Sequence, residues 1–235
     1  MINKRKIIFV FFILLSILFV QNVFSKDCNL AFDFSLDIPA KTDLKSDKVA
    51  YVSGLEFNWN TFNCSLFSRI DNPKYDISFH SQYLFDLFTK HNVGVFSKYH
   101  FYLYKNEFTE NDFVFGLFYD LQISEKAKMQ FFLGDLLKYT NFTNLDFNKF
   151  QNSLFMEIAL NYVLTEDFAF YTKIKTCDRF EYLSFISLFI ETGGTYYFTE
   201  KISASLSLDF KLIDPFTVTT HLTSLKIIPS IRIFL

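Results

Sequence analysis

The sequence predicts an all-β chain: an up-and-down antiparallel transmembrane β-barrel of about twelve strands, with ten as the alternative count. Three observations lead there. Apolar residues recur at every second position from one end of the chain to the other, which is the period of a strand with one greasy and one polar face. The best rows, Leu154–Leu164 and Ile202–Leu212, have the roughly 9–11 residues a tilted strand needs to cross a bilayer. Strands of ordinary globular proteins average about 5–6. Finally, the connections fall into a short class and a longer class that tend to alternate along the chain, as in a barrel with tight turns at one end and longer loops at the other.

Composition fits a single folded domain. Of 235 residues, half are hydrophobic and 34 are Phe, with only 6 Gly and 4 Pro. Charges of both signs are spread along the chain, no basic cluster lies beyond the N-terminus, and no phosphate-cradling glycine-rich loop is present. Nothing therefore points to a nucleic-acid partner. Residues 1–25 read as a secretory signal peptide, leaving a barrel domain over 26–235. Lys4-Arg5-Lys6 is the basic region, Ile7–Val20 is uncharged, and Val23-Phe24-Ser25 offers a small residue for cleavage. That apolar run is shorter than the roughly 20 residues a spanning helix needs. Loss of Lys4, Arg5 and Lys6 takes the formal net charge from -2 to -5.

The strands follow in order. Leu30, Phe32, Phe34, Leu36 and Ile38 alternate with Ala31, Asp33, Ser35 and Asp37, and Tyr51, Leu55, Phe57 and Trp59 alternate with Val52, Gly54, Glu56 and Asn58. Weaker strands fit Cys64–Ile70 and Tyr75–Tyr83, stronger ones Val93–Leu103 and Phe113–Ile123, and a weak one Met129–Gly134. Asp135–Phe147 is expected as loop. Leu154, Met156, Ile158, Leu160, Tyr162 and Leu164 form a long row, and Phe168 and Phe170 open a strand whose other face carries Lys173 and Lys175. Leu183–Phe198 switches its apolar parity midway, which predicts a bulge or twist there. Then Ile202, Ala204, Leu206, Leu208, Phe210 and Leu212 alternate with Ser203, Ser205, Ser207, Asp209 and Lys211. The last strand sets Leu225, Ile227, Ile231, Ile233 and Leu235 against Lys226, Ser230 and Arg232. Short turns are expected at Asn60–Thr61, Ser124–Lys126, Thr165–Asp167 and Thr199–Lys201, and longer loops near Ala40–Asp47, Lys105–Asn111, Gly134–Asn152 and Asp214–His221.

The C-terminal run "IIPSIRIFL" resembles the final strand of bacterial outer-membrane β-barrel proteins, which alternate apolar residues and usually end on an aromatic. Here Leu235 is last, Phe234 lies one register off, and Pro229 sits within the strand. The resemblance is to that class as a whole, over residues 28–235, and implies a bacterial outer-membrane location with the apolar rows against membrane lipid.

With that orientation the intervening residues line a lumen. The candidates are Asp33, Asp37, Glu56, Arg69, Lys98, His100, Asp120, Glu157, Lys173, Lys175, Asp209, Lys211 and Arg232, together with Asn161. Mixed charge fits either a water-filled conduit or ion pairs across a packed interior. Phe96, Phe118, Phe155 and Tyr171 point the same way and predict a narrow or partly filled one, while Lys173 and Lys175 are expected to neutralise Glu157 on the preceding strand. Gly54, Gly94 and Gly116 share the inward parity, where glycine allows a wall to bend or a neighbouring ring to lie over the backbone. No catalytic constellation emerges: His80 and Ser81 are adjacent, so a regular strand turns them to opposite faces. Cys28, Cys64 and Cys177 lack the spacing of a zinc site. No enzyme activity, metal or cofactor is expected. The favoured role is porin-like passage of small solutes. The alternatives are a surface adhesin or binding protein with an extracellular ligand on loops Lys105–Asn111 and Gly134–Asn152, and a soluble exported barrel holding an apolar ligand.

Overall fold

The computed structural model describes residues 28–42, 49–71, 74–85, 91–104, 108–142, 148–176, 187–213 and 221–235. The N-terminal segment 1–25 lies outside them. Twelve strands follow in chain order: β1 (Cys28–Thr42), β2 (Ala50–Trp59), β3 (Phe62–Asp71), β4 (Lys74–Phe85), β5 (His91–Tyr104), β6 (Phe108–Ser124), β7 (Ala127–Phe142), β8 (Asn148–Thr165), β9 (Phe168–Lys175), β10 (Ser187–Thr199), β11 (Ile202–Ile213) and β12 (His221–Phe234). Each is antiparallel to its sequence neighbours, and β12 returns to β1, so the sheet closes into a barrel without an edge.

The closing seam runs from Ala31↔Phe234 to Ser35↔Ser230 and resumes at Ile38↔Ile227. Pro229 falls in the interval. A proline has no N–H to give, so a gap in the ladder is where a strand tolerates one. Opposite it on the other side stands Leu206 of β11.

Both described chain ends, Cys28 and Leu235, lie at the same end of the barrel as the turns at residues 60–61, 125–126, 166–167 and 200–201. Asn60 closes the first of these turns with φ 51°, a left-handed conformation that Asn tolerates. Strand β4 ends and β5 begins at this end too, while β1, β3, β5, β7, β9 and β11 end at the other.

Two expected loops shrink. The Gly134–Asn152 segment is mostly strand, because the β7–β8 ladder holds register up to Asn141↔Asn148. Likewise β6 begins at Phe108, paired with Tyr104 and Phe142. The polar run Lys138–Asn141 reads as loop in the sequence, but Lys138 and Thr140 turn inward and are held by Glu110. An adhesive role assigned to those two loops therefore loses most of its backbone to the wall. Nor does β10 bulge at its centre. Its register with β11 is unbroken from Ser187 to Tyr197, shifting only at Tyr197/Thr199, and Phe189 simply turns inward, where it is buried. Leu183 and Phe185, which suggested the switch, lie outside the described residues.

Alternation then sorts the side chains. Large apolar groups stand on the outside, with Leu117, Leu133 and Leu206 59%, 55% and 56% exposed. A belt of that extent suits hydrocarbon and not water, since soluble monomers rarely expose contiguous apolar patches above a few hundred Å². The soluble alternative, with its apolar face inward, is the reverse of this arrangement. Aromatic side chains stand at both ends of the wall, among them Trp59 and the Tyr196–Phe198 pair, centroids 5.1 Å apart, at the turn end, and Tyr51, Tyr75 and Phe150 at the other.

The inward glycines make room. A Cβ on Gly54 would strike the ring of Phe67 and one on Gly94 the ring of Phe118, each contributed by the paired residue on the next strand. Gly116 and Gly134 face each other across β6 and β7, and a Cβ on Gly116 would meet the Leu133 carbonyl oxygen. A ring can rotate away, but a ladder carbonyl cannot. Gly116→Ala is therefore expected to destabilise the barrel by about 1–3 kcal/mol, and Gly54→Ala by less, as read from urea unfolding of the folded protein in detergent.

Candidate functional site: the barrel interior

Side-chain size divides the interior in two. On β5 to β8 it is filled: Phe96, Val114, Phe118, Phe132, Leu136 and Phe155 form one buried cluster. Phe96 meets Phe132 edge-on at 5.3 Å between centroids, and Phe118 stacks on Phe132 at 5.4 Å. On β11, β12 and β1 serines hold several of the inward positions. Ser205 of β11 faces Ser230 of β12, which faces Ser35 of β1, and the Ser205 and Ser230 hydroxyls are hydrogen-bonded. The smaller of two cavities follows these serines, and the larger lies between Ser35 and the side chains of Lys98, Phe132, Phe155 and Glu157. The two, of about 380 and 550 Å³, share Ser35, Val52, Phe67, Asn161, Lys173, Glu191 and Ile228 as lining, so they adjoin.

Charge lines this space. Arg232 closes the seam electrostatically: its Nε and Nη2 donate to the two carboxylate oxygens of Asp33 at 2.6 and 3.1 Å, and Nη2 lies 3.0 Å from Glu56. A guanidinium suits this place because its planar fork matches a carboxylate in two bonds at once. Arg69 pairs with Asp37 at 2.8 Å. Lys98 reaches from β5 to Glu157 on β8 at 2.7 Å, with its ammonium 4.6 Å from the Phe155 centroid, so the charge rests on the aromatic cluster. Asp120 takes Lys128 at 2.7 Å. His100 lies 5.3 Å from His80, ring to ring. Lys173 is 3.9 Å from Glu191, whose carboxylate also accepts the Tyr171 hydroxyl at 2.8 Å. Lys175 and Lys211 approach the Phe189 ring at 5.8 and 5.2 Å, and Asp209 and Lys226 line the larger cavity.

All thirteen sequence candidates thus turn inward, yet they do not converge on one point. They are strung through the lumen in small local groups, such as Arg69 with Asp37 and Arg232 with Asp33 and Glu56. The expected partner of Glu157 is only partly the observed one: Lys175 sits beside it in the ladder, but the close carboxylate contact is to Lys98, three strands away in the wall. Sequence reading passed over Glu191, because β10 seemed to change parity, over Glu110 and Lys138, because their segments read as loops, and over Asp112, just ahead of the Phe113–Ile123 row. Strict alternation from the flanking rows would have placed all four inside. Among the described residues no group of acids, histidines and cysteines is set to hold a metal ion. His80 and Ser81 face opposite sides of the wall, Ser81 bonding Ser97 on the outside at 2.8 Å.

No protein-family model matches the sequence, and no curated protein does. Solved structures do resemble the fold. The KdgM porin aligns over 86% of this chain and 98% of its own, with a TM-score of 0.58 at 6% identity. The NanC porin aligns over the same shares at 0.62 and 14% identity. The translocator domain of the autotransporter NalP from Neisseria meningitidis covers 93% of this chain and 91% of its own at 0.55 and 7%. The chain has the fold of bacterial outer-membrane β-barrels.

The Lys98–Glu157 pair is nearly dry, with side chains 12% and 10% exposed. Removing one partner leaves the other charge buried alone. Glu157→Gln is expected to cost about 3 kcal/mol, and the double variant Lys98→Met with Glu157→Leu to recover most of that, measured by urea unfolding in detergent.

Proposed function

We propose that the protein is an outer-membrane channel that passes small polar solutes along the serine-lined side of its lumen, after export directed by a cleaved segment 1–25. The observation that carries this reading is the pair of adjoining cavities bounded by Ser35, Ser205 and Ser230 on one side and the Phe96–Phe155 cluster on the other. A twelve-stranded wall lies between the filled eight-stranded barrels and the wide porins, so half-filling leaves a narrow path. The porins that share the fold lend support, one of them solved with a disordered oligogalacturonate.

Charge sets what the path favours. Arg69, Lys98, Lys173, Lys175, Lys226 and Arg232 on the cavity walls are matched in number by Asp33, Asp37, Asp112, Glu157, Glu191 and Asp209. Fields of opposite sign close together admit small polar solutes of either charge and do not filter strongly for one ion.

In planar bilayers the purified protein is expected to give discrete conductance steps with a reversal potential near zero in a potassium chloride gradient. Ser205→Trp with Ser230→Trp should cut the step size several-fold, and Lys173→Glu with Lys175→Glu should shift the reversal potential toward cations. Folded, membrane-inserted protein with no steps would overturn the channel reading.

A further inference from the structure

We infer that the outer surface of β7 and β8 docks a second copy of this barrel, through reciprocal hydrogen bonds between Asp135 and Asn152 about a two-fold axis. This rests on the membrane location proposed above, though not on conduction.

Among the described strand side chains, every Asp, Glu, Lys and Arg turns into the lumen except one. Asp135 stands on the outer face of β7, exposed, in the row Phe131, Leu133, Asp135, Leu137, Tyr139. Its ladder partners are Phe115 on β6 and Leu154 on β8, both more than 40% exposed. Several outward polar groups have found partners within the wall. Ser81 bonds Ser97 at 2.8 Å, the Tyr99 hydroxyl donates to Asn111 at 2.8 Å, and the Thr192 hydroxyl donates to the Tyr171 carbonyl at 3.3 Å. Asp135 has no hydrogen bond or ion pair with any described residue. An ionised group facing lipid is costly, and such groups normally pair with another group or with protein.

The same strand pair supplies what a second copy would need. Asn152 is exposed on the outer face of β8 and pairs with Leu137, so it sits diagonally beside Asp135. Asp135 only accepts and the Asn152 amide donates two bonds. In a two-fold contact the same patch meets itself, so the Asn152 amide of each copy reaches the Asp135 carboxylate of the other. Two charge-assisted bonds form, flanked by Leu133, Leu137 and Leu154. An off-axis ion pair between copies is not available, since the outer strand faces carry no described Lys or Arg.

The test uses native mass spectrometry of the full-length mature protein released from lipid nanodiscs, with heat-modifiable gel mobility as the check that each variant is folded. Wild type is expected as a dimer. Asp135→Leu should stay folded and raise the dimer dissociation constant at least tenfold. Asp135→Asn, which keeps a reciprocal amide pair, should remain largely dimeric. Leu154→Cys, with the native cysteines replaced by Ser, should cross-link copy to copy under mild oxidation. A monomeric wild type, a dimer indifferent to Asp135→Leu, or Leu154→Cys capturing a protein of different mass would each overturn the inference. Protein that is soluble and folded without detergent would instead overturn the membrane reading beneath it.

Discussion

Hydrocarbon offers a backbone amide nothing to bond with, and the architecture of this chain follows from that deficit. Each N–H and C=O within the apolar belt must be met by a neighbouring strand. A sheet with two free edges cannot manage this, so β12 comes back to β1. Closure then fixes alternation, because a slip of one residue would carry every side chain of a strand to the other face. The seam tolerates Pro229 only where its ladder has a gap, and the Asp33–Arg232–Glu56 cluster sits across that same seam on the inside. Backbone pairing and ion pairing therefore join the first and last strands side by side.

Alternation also decides where charge is allowed. With lipid outside, the lumen collects nearly all ionised groups, and they neutralise one another locally rather than forming one site. What distinguishes the two halves of the interior is volume. Phenylalanines on β5 to β8 fill their side and support Lys98 against Glu157, while serines among the inward residues of β11, β12 and β1 border the smaller cavity. Glycines at the inner wall let rings lie flat on the backbone, which keeps the filled half compact. Among the described strand side chains Asp135 is the exception on the outer face, and it gains its meaning from the strictness of the rule elsewhere.

Much of this was legible in the sequence, and the misses share a cause. Rows such as Ile202–Leu212, apolar at every second position with serines between, declare both strand and face. The thirteen inward candidates came from that parity alone. Segments failed where the inward residues were as apolar as the outward ones, or the reverse. Phe189 blurred the pattern of β10, and Lys138 to Asn141 looked too polar for a wall until Glu110 was seen to hold Lys138 and Thr140 from the adjacent strand. Partner choice was less legible still. Lys98 and Glu157 are 59 residues apart in the chain, and only the curvature of the barrel brings them together.

The central claim is that neighbouring residues on one strand face lipid and lumen in strict turn, and bromolipid quenching tests it most directly. Trp59 is the single tryptophan, so Trp59→Phe gives a silent background into which Leu133→Trp and Phe132→Trp are introduced separately. In bilayers carrying brominated acyl chains, tryptophan at position 133 is expected to be strongly quenched and tryptophan at position 132 nearly untouched. Equal quenching at the two positions, or the reverse order, would contradict the account.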